Sequence, residues 1–323
     1  EQNRLTVSLG NGWFKGKFGL NNQSNNFGDE FKLIAELRLV YEDGEVQVIG
    51  TDETWEYIGS DVEDDGIYDG EIINHLLWKE KENLPKKAVL TEAEGKLVAR
   101  YSLPVMEMED MQVKEVIYTP LGETVLDFGQ NFAGYVTFRN HLPEGTRIVF
   151  DHGEILQDGN FYNENYRSAK SQFVYVSDGR DELVRPSFTY FGFRYVRVTG
   201  WPGEAKEEDF TGKALYSKMD RTGYIETGHQ GVNRLFLNAL WGQKSNFIDF
   251  PTDCPQRDER LGWTGDAQVF SGTASFNMDT TAFYHKFLHD LRNEQVKYDG
   301  ILPGPVPGFR SSLHRPGCAG LPG

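Results

Sequence analysis

Hydrophobic and polar positions alternate through the first part of the chain. Between Phe31 and Tyr41, Leu33, Ala35, Leu37 and Leu39 share one face and Lys32, Glu36 and Arg38 lie opposite; Ile34 and Val40 interrupt the pattern. A period of two marks a half-buried strand. Asp43-Gly44 follows, and a two-residue Asp-Gly link between such runs predicts a hairpin. Gly10-Asn11-Gly12 marks another turn. Residues 1–75 therefore read as part of a β-sandwich domain, with 76–110, rich in charge runs such as Lys79–Glu82, as a connector.

Strand signals recur at Thr124–Phe128, Gly134–Arg139, Arg147–Phe150, Gln172–Val176 and Phe193–Val198, separated by Gly, Pro, Asn and Asp clusters. Short strands at this spacing predict a second β-sandwich over 111–205. The alternating aromatics of Phe188–Tyr195 fit a strand core better than a carbohydrate-binding platform. Near Thr227 the period changes. Val232, Leu235, Phe236, Ala239 and Leu240 fall on one helical face. A second helix is predicted over Asp266–Phe276, with Val269, Phe270 and Ala274, and a third over Thr280–Val296, with Phe283, Phe287, Leu288 and Leu291. The chain thus reads β, β, then α, the helical part covering 206–308.

Composition narrows the function. The chain has 323 residues, more than a typical single domain, and 38% are apolar, enough for packed cores. A net charge of −16 argues against nucleic acid or an anionic membrane surface as a partner. No apolar run approaches the roughly 18 residues of a membrane-spanning helix. The first residues carry neither a start Met nor a signal-peptide pattern, so the chain is expected to begin inside a longer protein. Cys254 and Cys318 are too few for a disulfide framework. The acidic run Asp61–Asp65 lacks calcium-loop spacing, and His229 with Cys254 lacks zinc-ligand spacing. No metal or cofactor is predicted.

The chemistry concentrates in one loop between the first two helices. Residues 253–263 read Asp-Cys-Pro-Gln-Arg-Asp-Glu-Arg-Leu-Gly-Trp, with Thr264, Gly265 and Asp266 after them. Carboxylates suit sugar hydroxyls and proton transfer, arginines fix carboxylates through two-pronged contacts, and an indole offers a flat wall to a sugar ring. Each residue also has a plainer reading. Glu259 could be salt-bridged to Arg257 or Arg260, Asp253 and Asp266 could cap a turn and a helix, and Trp263 could be core. Trp241 and Phe247 read as core.

At these residues the chain resembles bacterial α-L-rhamnosidases of glycoside hydrolase family 78. Leu9–Gly16, Asp52–Trp55 and Asp69–Glu71 are similar to the family's N-terminal β-domain; Asp127–Gly134, His152–Glu154 and Phe188–Tyr195 to its concanavalin-like domain; Asn246–Phe270 to the start of its (α/α)6 barrel. The resemblance implies two β-sandwich domains followed by the first helices of an incomplete (α/α)6 barrel. It also implies hydrolysis of a terminal α-L-rhamnosyl residue with inversion, a reaction needing two carboxyls roughly 6.5–9.5 Å apart. The position matching the general acid is Glu259; those lining the sugar pocket are Asp253, Arg257, Trp263 and Asp266. Asp258 is a weaker candidate.

The resemblance places the general base beyond the last residue, so no position is assigned to it. After 308 the sequence departs from the family, and 309–323 are expected to be an out-of-frame or prematurely ended segment. A severed barrel should leave Phe283, Phe287 and Leu291 without partners and the chain prone to self-association. Two rivals accompany the rhamnosidase reading. One is a non-catalytic protein that binds rhamnose-containing glycans or a partner; the other is a glycosidase on the same barrel acting on another sugar.

Overall fold

The computed structural model describes residues 3–20, 22–77, 84–92 and 96–308. The Asp43-Gly44 turn forms as expected, joining strands Glu36–Val40 and Val46–Gly50 in antiparallel register. Its loop has three residues rather than two. Tyr41 and Glu45 still pair, the Gly44 N–H reaches the Tyr41 carbonyl, and Gly44 sits at φ 87°, where a side chain would be strained. This hairpin is a two-stranded sheet of its own, and both strands are largely exposed.

The next hairpin, Val62–Gly66 with Gly70–Asn74, joins a ten-stranded sheet. Gly70–Asn74 runs parallel to Gln172–Val176. From there the sheet continues antiparallel through Arg147–Gly153, Phe191–Thr199, Thr124–Asn140, Phe210–Ser217 and Val105–Gln112. At Gly70 the backbones approach so closely that a Cβ would lie 1.8 Å from the Gln172 carbonyl oxygen, so only glycine fits.

The two runs predicted at 124–128 and 134–139 are one strand of 17 residues. It carries two glycines with positive φ, Gly129 and Gly134, and its partners change along its length. Glu115–Tyr118 pairs with its first part; Phe210–Ser217 and Glu182–Val184 pair with its last. A strand that bends at glycine can serve both, whereas a straight one could not.

Alternating aromatics fill the space this sheet encloses. Phe191 and Phe193 are fully buried, as the core reading of Phe188–Tyr195 expects. Phe193 packs on Phe132 and Phe128 at ring-centroid distances of 4.5 and 5.6 Å. Phe138 meets Phe150, Tyr175 and Trp201 edge to face, the favoured geometry for ring quadrupoles.

Three long helices follow: Gln230–Asn246, Thr264–Asn277 and Thr281–Lys297. The first packs on Thr124–Asn140 and Phe210–Ser217, so it rests directly on the sheet. One expectation needs correction: Phe283, Phe287 and Leu291 do have partners, Leu291 packing against the cluster that holds Phe287. Phe283 and Phe287 are buried, Phe283 stacking on Phe247 at 4.5 Å and Phe287 packing beside Phe250, Leu261 and Val306. The apolar side chains left uncovered lie elsewhere: Leu235, Val269, Leu288 and Val296 are 68%, 86%, 61% and 79% exposed. On the first helix's apolar face Leu240 is buried, Phe236 and Ala239 are half-buried with Phe236 against Phe276, and Val232 and Leu235 are exposed. The segment 309–323 lies outside the described residues.

Candidate functional site

The loop from Asn246 to Thr264 leaves the sheet-packed helix and enters the next. Asp253 and Leu261 close it: the Asp253 N–H donates to the Leu261 carbonyl at 3.0 Å, and the Leu261 N–H donates to Asp253 Oδ1 at 2.8 Å. That turn-closing bond is the plainer role foreseen for Asp253, and it uses one oxygen. The other, Oδ2, meets Arg257 Nη2 at 3.3 Å. Asp253 thus closes the loop with one oxygen and pairs with Arg257 through the other.

Arg257 spans two carboxylates. Besides Asp253, its Nε and Nη2 each reach Glu259 Oε2 at 3.2 Å. A second guanidinium meets that same oxygen: Arg167 Nη2 donates to it at 2.8 Å. The remaining oxygen, Oε1, accepts the Trp263 indole N–H at 3.1 Å. Burial raises the Asp253 carboxyl above its usual range, and the negative charge of Glu259 adds to this. Cys254, buried in the same loop, is pushed up to about 12 by desolvation and is a thiol at neutral pH. One ligand atom each from Asp253, Cys254 and Glu259 lies within 4.8 Å of the others, but the charge of both carboxylates is already met by Arg257.

The two arginines that look alike in sequence have separate tasks. Arg260 is wholly buried and donates to the carbonyls of Gln256, Arg257 and Tyr190. A guanidinium is well suited to tie three carbonyls at once, so Arg260 fixes the loop's shape. Arg257 faces the carboxylates. Asp258 is buried and serves as an anchor: it pairs with Arg167 Nε at 2.7 Å and accepts the Ser168 hydroxyl. Trp263 is half-buried and precedes the Thr264–Asn277 helix. Asp266 sits exposed in the first turn of that helix and makes no hydrogen bond with the other four predicted residues.

The sheet supplies contacts that no local pattern announces. The Tyr68 hydroxyl donates to the Glu259 carbonyl at 2.6 Å, Ser171 Oγ to that of Gln256 at 3.3 Å, and Arg167 reaches both Asp258 and Glu259. On the other flank of the loop lies a cleft of about 540 Å³, bounded by Asp253, Arg257, Glu154, Asn131, Arg194 and Trp241 among others. Glu154 is held there by the amides of Asn131 and Gln256, and burial raises its carboxyl.

A helical layer is thus docked on a β-sheet, with the connecting loop folding two carboxylates around one guanidinium. Three family models match the chain consecutively: the α-L-rhamnosidase N-terminal domain over 1–109, the bacterial α-L-rhamnosidase concanavalin-like domain over 117–216, and the bacterial α-L-rhamnosidase six-hairpin glycosidase domain over 220–318. The chain belongs to the bacterial α-L-rhamnosidase family.

Among curated relatives it is 33% identical over 316 residues to an α-L-rhamnosidase of Streptomyces avermitilis, covering 94% of this chain and 30% of that protein. An α-L-rhamnosidase of Alteromonas sp. is 31% identical, with 94% of this chain and 34% of the relative covered. The chain therefore spans about a third of these relatives' length. Among solved structures, native α-L-rhamnosidase from Aspergillus terreus matches with a TM-score of 0.88 at 34% identity, covering 94% of this chain and 37% of that one. The Streptomyces avermitilis α-L-rhamnosidase complexed with L-rhamnose matches with a TM-score of 0.84 at 33% identity, covering 93% and 30%.

Proposed function

We propose that the chain carries the acid side of an α-L-rhamnosidase site, in which Glu259 protonates the departing oxygen of a terminal α-L-rhamnosyl residue. Asp253, Arg257, Trp263 and Asp266 hold the sugar. The observation that supports this reading is the place of Glu259 in the site loop, close to Asp253 and with the Trp263 N–H on Oε1; its ion pairs with Arg257 and Arg167 fit the plainer salt-bridge role as well. Two guanidiniums meet Oε2 and a single indole N–H meets Oε1, so the proton to be delivered is placed on Oε1. Trp263 stands beside it, and its ring suits the C–H face and methyl group of a 6-deoxy sugar. The relatives named as α-L-rhamnosidases, one solved with L-rhamnose, support that substrate class.

The stereochemical course we propose is inversion, with the water activated by a carboxylate not assigned among the described residues. Asp253 is a poor candidate for that base. One carboxyl oxygen of Asp253 lies within 4.8 Å of one of Glu259, and both carboxylates meet the Arg257 guanidinium, which leaves little room for a water between them. The same closeness is compatible with retention, where about 5–5.5 Å separates acid and nucleophile.

The test is release of aryl alcohol from an aryl α-L-rhamnoside, beside an aryl α-L-arabinoside control. Any turnover should be confined to the rhamnoside and fall at least about 10²-fold in Glu259→Gln, as befits loss of a general acid. Hydrolysis that survives the substitution overturns the assignment. A native chain that binds L-rhamnose yet releases nothing fits a site whose base is not among the described residues as well as it fits the non-catalytic glycan-binding reading. Proton NMR of the first anomer formed separates the two courses: β-L-rhamnose means inversion, α-L-rhamnose retention through Asp253.

A further inference from the structure

We infer that Arg167, carried on the sheet side of the molecule, is a positioning residue for Glu259: it holds the carboxylate so that Oε1 is presented to the substrate. This rests on reading Glu259 as the acid.

Arg167 follows a single 3-10 turn, Glu164–Tyr166, with its backbone at φ 60° and ψ −115°. Outside glycine this region is sparsely populated, so the surrounding structure must enforce it. What the conformation achieves is aim. The guanidinium crosses from the sheet to the site loop, where Nη2 donates to Glu259 Oε2 at 2.8 Å and to the Asp258 carbonyl at 3.0 Å. Its Nε pairs with Asp258 Oδ1 at 2.7 Å, and the next residue, Ser168, donates to Asp258 Oδ2.

A staple for the loop would need only the contacts to Asp258. The loop is already tied by Arg260, through three carbonyls, and by Tyr68 at the Glu259 carbonyl. Arg167 adds something these cannot: one planar fork joins the acid's side chain to the backbone of the preceding residue. On Oε2 its contact is shorter than either Arg257 contact at 3.2 Å. The charged groups facing Glu259 are therefore Arg167 from the sheet side and Arg257 from the loop, with Asp253 and Asp258 behind them. With Oε2 pinned from both sides, Trp263 is left to meet Oε1.

The Trp263 indole N–H reports this geometry without any need for turnover. The chain has six tryptophans, so selective 15N labelling yields six indole signals, and Trp263→Phe identifies the one in question. In Arg167→Gln we expect the Trp263 signal to move and its exchange with water to quicken, as when Glu259 itself is changed to Gln, while the other five signals stay in place. Arg167→Lys, which keeps the charge but not the fork, should restore the signal only in part. Ser168→Ala should leave it unchanged. If Arg167→Gln disturbs all six signals, Arg167→Lys becomes the deciding variant. A Trp263 signal at its native position in Arg167→Gln, or in Arg167→Lys where the former is misfolded, overturns the inference. On an aryl α-L-rhamnoside, Arg167→Gln should lower kcat between tenfold and about 10²-fold with KM nearly constant, the pattern of a misplaced catalytic group. Hydrolysis that persists in Glu259→Gln would remove the acid reading while leaving the indole result intact.

Discussion

The sheet and the three helices meet the same loop from opposite sides, yet they are finished to different degrees. In the sheet, apolar residues of the long central strands are enclosed: Leu126, Phe132, Phe150, Phe173, Phe193 and Val196 all have almost no exposed surface. In the helices, one face of each is covered and apolar residues on another face meet solvent. The site loop depends on the closed side. Tyr68, Arg167, Ser168, Ser171 and the Tyr190 carbonyl all reach it from there. The helices contribute its two ends and the packing of Leu261 against Phe287. A site held this way keeps Glu259 in place through contacts made by the β-domain, whatever covers the rest of the helices.

The strongest way to test that asymmetry is to open a cavity on each side. Phe193→Ala removes a ring packed on Phe128, Phe132 and His152, and such truncations cost about 3–5 kcal/mol. We expect it to unfold the sheet and the loop together, with the strand signal in circular dichroism and the Trp263 indole signal lost in one denaturant transition. Phe283→Ala removes a ring stacked on Phe247 and should loosen the helices first, leaving the strand signal with its native midpoint. If both variants melted the chain in a single step, the two sides would be one cooperative unit and the comparison would fail.

A smaller effect distinguishes the sheet by pH. Glu71 is buried, with its carboxylate accepting N–H bonds from Ser187 and Phe188; burial outweighs these and pushes it up to about 7. Its folded value lies above its unfolded one, so between those two values the folded state binds more protons. The stability it contributes is present at low pH and is lost as pH rises through about 7. His152 works the other way: buried and lowered to about 4, it destabilises the fold as pH falls below its ordinary value. The two slopes oppose each other in the native chain. The readable quantity is the difference in unfolding free energy between native chain and Glu71→Gln, which should fall by about 1–3 kcal/mol from pH 5 to pH 8. A difference independent of pH would mean that the N–H bonds keep Glu71 ionised throughout.

Much of this was legible in the sequence because it is local. The strand Gln172–Val176 lies where it was predicted, and the three helices begin and end within a few residues of their periodic runs. The dense loop at 253–263 was visible as a cluster of chemistry, and Arg257, Glu259, Asp253 and Trp263 do come together. What was not legible is set by long-range contact. Arg167 and Glu259 are 92 residues apart, and Tyr68 and Glu259 191. Neither contact leaves a period or a spacing to read. The tasks of Arg257 and Arg260 differ only because one points to carboxylates and the other into a ring of carbonyls, a matter of backbone direction: Arg260 itself has positive φ, at 50°. The bent strand Thr124–Asn140 was read as two because its glycines look like turn residues until partners on both sides hold it extended. The faces of the helices were assigned by period, but period alone does not say which neighbour covers them.

That last point yields the smallest effect on stability and the sharpest test of the helical side. Val269 and Leu288 protrude from successive helices and are mostly exposed, so replacing both with Ser removes no buried contact and should change the unfolding free energy by no more than about 0.5 kcal/mol per site. Together with Leu235 and Val296 they nonetheless present apolar surface to water on a chain whose β-core is closed. Such surface drives association rather than folding. Sedimentation velocity over a range of concentrations should therefore show the native chain self-associating and the Val269→Ser, Leu288→Ser double variant shifted toward monomer, with the denaturation midpoint unmoved. A native chain that sediments as a monomer at every concentration would show that these side chains are too dispersed to associate, and the two sides of the molecule would differ in packing but not in behaviour.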